Sequence, residues 1–191
     1  HYQLTIEPNT YFHKHHPTLP DTDTTWEMQQ RCHDTLNQHG YIQYEVSAFS
    51  KADKHSRHNM NYWTFGDYIG IGAGAHCKLT GISGHSIRRR WKQRQPSRYV
   101  KQATRGEACS GSSELKREDI LFEFLMNALR LRKGFSFELF EQRTGINRQH
   151  LLDVCKHIDE DLLVVSATGI TTSQRGIDFL NTLLESILTG I

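Results

Sequence analysis

A stripe of glycines at Gly70, Gly72 and Gly74 constrains the fold of this chain more than any other feature. On an extended strand alternate residues share a face, so the glycines would line one face and the apolar residues between them the other. Glycine inside a strand costs stability and is usually kept where a ligand or another backbone must approach closely. The pattern therefore predicts a strand over 69–75, with one face of bare backbone and one apolar face in a core.

The first third of the chain is predicted to alternate between strands and a helix. Residues 4–7 have the composition of a short apolar strand, and 24–39 that of a helix that starts with a capping box of Thr24 and Glu27. Apolar and polar residues then alternate over 42–48, which predicts a second strand. A strand, a helix and a strand in succession indicate an α/β unit.

The last third of the chain has the periodicity of amphipathic helices. The predicted elements are helices over 120–129, 136–143 and 147–158, a hairpin of 162–165 with 170–172, and a helix from about Gln174 with Ile177, Leu180, Leu184 and Ile187 on one face. Three helices, a hairpin and a final helix resemble a winged helix. This shape alone does not imply nucleic-acid binding.

Positive charge is concentrated in the middle of the chain. Residues 76–110 hold 9 Lys and Arg against 1 Asp or Glu, whereas the whole chain carries a net charge of only +2. Few apolar residues accompany these charges, so 81–112 is predicted to be a basic linker. The cluster RRRWKQR at 88–94 is open to three interpretations: a solvated loop, a site for carboxylates such as propionates, or a nucleic-acid contact.

Composition excludes some classes of protein. A hydrophobic content of 37% in 191 residues is enough for one sizeable core or two small ones. The mean hydropathy of −0.60 and the lack of a long apolar run argue against a membrane span.

The cysteines lack the paired spacing of a disulfide framework, so we expect reduced thiols and a cytoplasmic protein. These cysteines are Cys32, Cys77, Cys109 and Cys155.

A series of segments carries a family resemblance. The segments are YQLTIEPNT, LPDTD, GYIQYEVSAFS, HNMNYW and GDYIGIGAGAH, in this order from Tyr2 to His76. Together they resemble the oxygen-independent coproporphyrinogen III oxidase family of radical SAM proteins and, within it, the HemW branch, which is regarded as a haem chaperone. The resemblance is dense to about Lys78 and weaker beyond, where family members carry a small helical domain.

The resemblance implies a fold and a division of the chain. We expect an α/β fold with closing elements of a partial TIM-type barrel over 1–80, the basic linker over 81–112 and a winged-helix-like domain over 113–191. A complete barrel takes about 250 residues. The chain is therefore expected to be the C-terminal part of a longer protein, with the missing N-terminal barrel half as a partner.

The family's cofactors are expected in that longer protein. Family members bind a [4Fe–4S] cluster through a CxxxCxxC motif, and the cluster in turn binds S-adenosylmethionine. The cysteines here are too far apart in sequence for that motif, and a cluster needs converging thiolates. We therefore expect no radical chemistry from this chain alone.

The segment HNMNYW contains the main candidate ligand, His58. A neutral imidazole is a good axial ligand for haem iron. On the resemblance, His58 binds the iron, with Asn59, Tyr62 and Trp63 as further haem-binding residues. The alternative is that His58 and Asn59 only close a turn, while Tyr62 and Trp63 pack in a core.

Other histidines are candidates for a zinc site or for a second axial ligand of haem. His55 lies three residues before His58, which is compatible with a zinc site, but no CxxC or HExxH motif accompanies the pair. A second axial ligand for haem could come from any of four residues, with nothing in the sequence to choose among them. These are His13, His15, His16 and His55.

The segment GIGAGA formally matches the dinucleotide fingerprint G-x-G-x-x-A, but an apolar helix and a following acidic residue are missing. The resemblance instead implies that it contacts S-adenosylmethionine. The implied residues are Gly72, Ala73, Gly74, Ala75 and His76, together with Glu7 at the end of a barrel strand. The alternative is that these glycines only permit close packing of a neighbouring element.

Three functions follow from these patterns. The first is a haem chaperone that binds haem, or another tetrapyrrole, and passes it to haem-accepting proteins. The second is oxidative decarboxylation of coproporphyrinogen III by the full-length protein. The third is nucleic-acid binding by the winged helix, which is disfavoured because acidic residues at 153 and 159–161 would face phosphates.

Overall fold

The computed structural model describes residues 4–81 and 86–191. The chain forms two compact units, His1–Ser56 and Arg57–Ile191. Every helix in the described residues is too short or too polar to cross a lipid bilayer.

Residues 4–56 of the first unit contain two helices and one hairpin. Its elements are α1 (Tyr11–Lys14), α2 (Thr22–Gln38), β1 (Ile42–Glu45) and β2 (Ala48–Ser50), with β1 antiparallel to β2. The predicted helix over 24–39 is confirmed, although it begins two residues earlier. The predicted capping box of Thr24 and Glu27 is wrong, because the Asp21 carboxylate caps the helix by accepting from the Thr24 backbone N–H at 2.7 Å.

The strands of the first unit differ from the sequence prediction. Residues 4–7 form no strand. The alternating segment 42–48 is interrupted by a two-residue turn at Val46 and Ser47, where the Gln43 side-chain amide donates to the Val46 carbonyl at 2.9 Å. Alternation of apolar and polar residues marks extended backbone on both arms of a hairpin equally well, so it does not locate the turn between them.

The first part of the second unit is built around a three-stranded antiparallel sheet of order β3-β4-β5. Its elements are α3 (Arg57–Trp63), β3 (His76–Thr80), β4 (Ile87–Lys92), α4 (Pro96–Ala103) and β5 (Cys109–Glu114). The prediction of a linker over 81–112 is wrong, because this segment supplies β4, α4 and most of β5. Two of its cations pair with carboxylates, Arg88 with Glu114 and Arg89 with Glu123.

The glycine stripe forms a loop and not the predicted strand. Residues 72–74 make a turn, and β3 begins only at His76. Gly72 and Gly74 have φ angles of +110° and +71°, which no strand residue adopts. The predicted apolar core face is also wrong, because Ile69 and Ile71 are 76% and 87% exposed.

The C-terminal part of the second unit has the element order of a winged helix, and the predicted α/β class is confirmed. The elements are α5 (Arg117–Ala128), β6 (Phe135–Ser136), α6 (Phe137–Thr144), α7 (Arg148–Cys155), β7 (Leu163–Val165), β8 (Gly169–Thr172), α8 (Gln174–Asp178) and α9 (Leu180–Gly190). The strands pair in the order β6-β8-β7. The predicted final helix breaks at Phe179, and Leu183 instead of Leu184 lies on its buried face.

An aromatic cluster lies in the core of the second unit. The ring of Phe124, on α5, contacts three other phenylalanine rings edge to face, with centroids 4.9–5.8 Å apart. The three are Phe65, Phe135 and Phe140. Since Phe65 follows α3 directly, the segment that carries His58 is packed on the same core as the winged helix.

Candidate functional site

His58 lies on the first turn of α3 with its side chain exposed. Tyr62 is one turn further along the helix, and residues four apart in a helix are neighbours on its surface. The two rings meet edge to face with centroids 4.9 Å apart, and the Tyr62 ring lies 4.6 Å from that of Tyr68. The three rings form a row that we call the aromatic row: His58, Tyr62 and Tyr68.

Trp63 packs away from this row. The guanidinium of Arg130 lies over the indole ring at 4.4 Å from the centroid, in cation–π geometry. The indole N–H is buried and has no hydrogen-bond partner among the described residues. Of the two aromatic residues predicted to bind haem, Tyr62 contacts the His58 ring, while Trp63 joins α3 to the end of α5.

Arg89 of β4 holds the far end of the aromatic row. Its guanidinium donates to the Tyr68 hydroxyl at 2.7 Å and forms a bidentate pair with the Glu123 carboxylate, including a contact of 3.1 Å from Nε to Oε1. Bidentate arginine pairs fix geometry as well as charge. The orientation of Tyr68 is therefore set by a half-buried ion pair between β4 and α5.

A buried lysine ties the segment after α3 to the sheet. Lys78 of β3 is 1% exposed, and its ammonium donates to an Asp67 carboxylate oxygen and to the Phe65 carbonyl, both at 3.0 Å. Burial lowers the pKa of Lys78, and the Asp67 carboxylate opposes that shift. The ammonium also lies 4.1 Å from the centroid of the Phe65 ring.

Asp67 connects this lysine to α3. Its carboxylate accepts from the backbone N–H and the hydroxyl of Thr80, both at 2.8 Å, and its carbonyl accepts from the Asn61 side-chain amide at 2.9 Å. Burial alone would raise the pKa of Asp67, but the Thr80 N–H and the Lys78 ammonium outweigh it and lower that pKa. Asp67 thus connects the turn between α3 and β3 to both elements, to α3 through Asn61 and to β3 through Lys78 and Thr80.

The loop 69–75 is anchored through its backbone. The Gly72 N–H donates to the Tyr99 hydroxyl of α4 at 3.2 Å, and the Gly74 N–H donates to the Gln93 carbonyl at 2.8 Å. Two of the peptide groups predicted to meet S-adenosylmethionine therefore have partners within the unit. Ala73 and His76 remain exposed. Glu7, the sixth predicted cofactor contact, lies exposed in the first unit.

The metal-ligating side chains are dispersed. In residues 4–81 and 86–191, no three His, Cys, Asp or Glu side chains are grouped so as to hold a metal ion. Cys77 and Cys155 are buried and Cys32 and Cys109 are exposed, and none of these thiols belongs to such a group. The four candidates for a second haem ligand all lie in the first unit, where the His55 ring stacks on Tyr44.

Comparison with known proteins gives similarities of three kinds: to a family model, to curated sequences and to a solved structure. Residues 115–179 match the family model of the HemN C-terminal domain. The chain is 41% identical to the heme chaperone HemW of Haemophilus influenzae and 39% identical to that of Escherichia coli, in each case over 98% of this chain and 48% of the relative. It thus spans about half the length of these curated relatives.

A solved structure has the same fold. The coproporphyrinogen III oxidase HemN of Escherichia coli, described as a radical SAM enzyme, matches with a TM-score of 0.62 and 16% sequence identity, over 88% of this chain and 42% of that one. At this identity the similarity concerns the fold alone. The match to the HemN C-terminal domain and the sequence relatives, which align with nearly the whole chain, place it in the coproporphyrinogen oxidase-like radical SAM family and, within it, in the HemW branch.

Proposed function

We propose that this chain is part of a haem chaperone and that His58 binds the haem iron. The observation that carries the proposal is the exposed His58 imidazole on α3, with the Tyr62 ring against its edge. The relatives aligned over 98% of the chain are named heme chaperones, which supports the same role here.

The side chains around His58 fit an axial ligand for haem. An exposed imidazole can meet an iron atom without any rearrangement of a core, and neutral imidazole is a common haem ligand. Tyr62 restrains the ring, and Tyr68, held by Arg89, restrains Tyr62 in turn. We infer that the aromatic row presents His58 in a defined orientation, which reduces the entropy lost when the iron binds.

This chain contributes fewer residues to the binding of the family's other cofactors than to the binding of haem. When bound, a [4Fe–4S] cluster with S-adenosylmethionine supplies a radical, and we propose that its ligands belong to the remainder of the full-length protein. The exposed side of the loop at Ala73 and His76 is proposed to contact the nucleoside. Transfer of haem to acceptor proteins is proposed on the names of the relatives alone.

Coproporphyrinogen III oxidation is the competing function, and the comparisons support it less. The named oxidase is 16% identical to this chain, against 41% for a named chaperone. The segment HNMNYW also favours the chaperone function, because it resembles the motif of the HemW branch. Conversion of coproporphyrinogen III by the full-length protein under anaerobic, reducing conditions would reverse the preference.

Haemin titration tests the proposed function. The Soret band is followed while haemin is added to the chain, to His58→Ala and to the control His157→Ala, which removes another exposed histidine of the same unit. We expect a saturable shift in the wild type and in His157→Ala, with at least about tenfold weaker binding in His58→Ala. Equal affinity in all three proteins would refute the assignment of His58.

A further inference from the structure

The β3-β4-β5 sheet bears a cavity of about 420 Å³. Its lining includes Cys77 and Leu79 of β3, Arg90 and Lys92 of β4, and Tyr99 of α4. Small-molecule sites commonly enclose about 300–1,000 Å³ and combine an apolar surface with a few polar groups. The cavity has the size and the mixed lining of such a site.

This cavity lies on the opposite face of the sheet from the ion pairs that support the aromatic row. Lys78 is registered with Arg89, and Cys77 with Arg90. Successive residues of a strand point to opposite faces. Lys78 and Arg89 make their contacts with Asp67 and Glu123, whereas Cys77 and Arg90 line the cavity. A ligand in the cavity would therefore not be the one that meets His58.

The cavity contains cations without matching carboxylates. Arg88 pairs with Glu114 at 3.9 Å and Arg89 pairs with Glu123, but within the described residues neither Arg90 nor Lys92 has a carboxylate within 4.0 Å. Two positive charges beside an apolar surface favour a molecule that has both an apolar body and an anionic group.

Exposed groups lie around the same cavity. Ile69, on its rim, is 76% exposed, and a flat apolar ligand would cover it. Cys109 is also exposed and lines the cavity, with its thiol 3.4 Å from the Gly111 carbonyl that accepts from it. A hydrogen bond with Arg90 lowers the pKa of Cys109, so this thiol is a natural reporter of the cavity.

We propose that this cavity binds a planar aromatic carboxylate, with the carboxylates on Arg90 and Lys92 and the ring against Leu79 and Ile69. The propionate-bearing edge of a tetrapyrrole has this chemistry. The choice of a tetrapyrrole rests on the proposed function, whereas the preference for an aromatic anion rests on the cavity. Since iron plays no part in these contacts, a metal-free porphyrin should bind.

Binding of metal-free protoporphyrin tests the proposal on the 191-residue chain. Porphyrin fluorescence is titrated against the wild type, the double variant Arg90→Gln/Lys92→Gln and the control Arg88→Gln. Arg88 lies on the same strand as Arg90 and Lys92 but pairs with Glu114 of β5. We expect about tenfold weaker binding in the double variant and in the porphyrin dimethyl ester, which lacks free carboxylates, and no change in Arg88→Gln or His58→Ala.

A thiol footprint gives a second measurement. The rate of alkylation by iodoacetamide is measured at Cys109 and at Cys32, the other exposed thiol, with and without the porphyrin. Bound porphyrin should slow the reaction at Cys109 at least about tenfold and leave Cys32 unchanged.

Two sets of results separate this inference from the proposed function. Equal binding by the double variant and Arg88→Gln, or an unprotected Cys109, would overturn the cavity site even if haemin binding still depended on His58. Porphyrin binding that depends on Arg90 and Lys92, in a chain whose haemin binding ignores His58, would support the cavity and refute the proposed ligand.

Discussion

At the scale of single residues, the side chains that hold His58 in place were less visible in the sequence than His58 itself. HNMNYW drew attention to the histidine, and the spacing of four to Tyr62 becomes a ring contact once the segment is helical. The spacing of residues in the sequence did not predict that Lys78 is buried beside Asp67, because burial of a lysine depends on the elements that pack over it. The one local signal was the position of Lys78 between two apolar residues, Cys77 and Leu79.

Asp67→Asn tests this buried pair. The substitution removes the charge that balances the Lys78 ammonium, and breaking a fully buried pair costs about 3–5 kcal/mol. The Asp67 side chain is 40% exposed, so we expect a smaller loss, about 2 kcal/mol in the free energy of unfolding, measured with urea. Asp178→Asn, which retains an acceptor for Gln174 on an exposed helix face, should change it little. An equal loss in both variants would show that the pair has no special role.

The same carboxylate predicts a pH dependence. The pKa of Asp67 is lower in the folded chain than in the unfolded one, where it is about 3.9. Its contribution to stability is therefore complete above the unfolded pKa and is lost as the pH falls through the folded value. The difference in unfolding free energy between the wild type and Asp67→Asn should shrink over that range. A difference independent of pH from neutrality to about pH 2 would contradict the assignment.

At the scale of elements, local signals determined the helices better than the sheet. Ser136 and Asn147 cap α6 and α7 through their side chains, and Gly145 ends α6 with a φ of +68°, which are the residue types that helix ends favour. The β3-β4-β5 sheet was missed because the cations of β4 suggested a linker. Arg89 finds its partner Glu123 34 residues further along the chain, and such pairing leaves no periodicity in sequence.

The glycine stripe shows the limit of alternation as a signal. A period of two residues is compatible with a strand, but glycine also adopts positive φ, and the sequence does not distinguish these uses. The structure uses Gly72 and Gly74 for positive φ. The proposed contact surface for the nucleoside is consequently a loop edge instead of a flat strand face.

Gly66→Ala tests the turn between α3 and β3. A Cβ atom at this position would lie 2.1 Å from the Asn61 side-chain oxygen and 2.8 Å from its carbonyl oxygen, so helix or turn must move. We expect a loss of about 1–3 kcal/mol in unfolding free energy, measured by urea denaturation. The control is Gly190→Ala in α9, where the nearest atom would be 3.5 Å away. Comparable stability of Gly66→Ala and the wild type would mean that this turn is not tightly packed.

At the scale of the whole molecule, the two compact units differ from the three regions expected from composition. The charge change near residue 80 suggested a boundary there, whereas β3 and β4, on either side of it, are paired in one sheet. The boundary between the units falls between Ser56 and Arg57 in the chain. Composition marks where charge changes, but the hydrogen bonds between strands decide which segments fold together.

Truncation tests this division. Residues 57–191 contain the whole phenylalanine cluster around Phe124 and all three strands of the β3-β4-β5 sheet, so this fragment should unfold cooperatively in urea. A fragment of residues 81–191 lacks β3 and Phe65 and should be markedly less stable. Equal stability of the two fragments would favour a boundary near residue 80.

The central claim is that the His58 side chain is itself a ligand of haem iron, and exchange of the ligand atom tests it most directly. The absorption spectrum of the ferric haem complex is recorded for the wild type, His58→Cys and the control His157→Cys. A thiolate donates more electron density to iron than an imidazole does. We predict a change to a thiolate-type spectrum in His58→Cys alone. An unchanged spectrum in His58→Cys, with haem still bound, would contradict the claim.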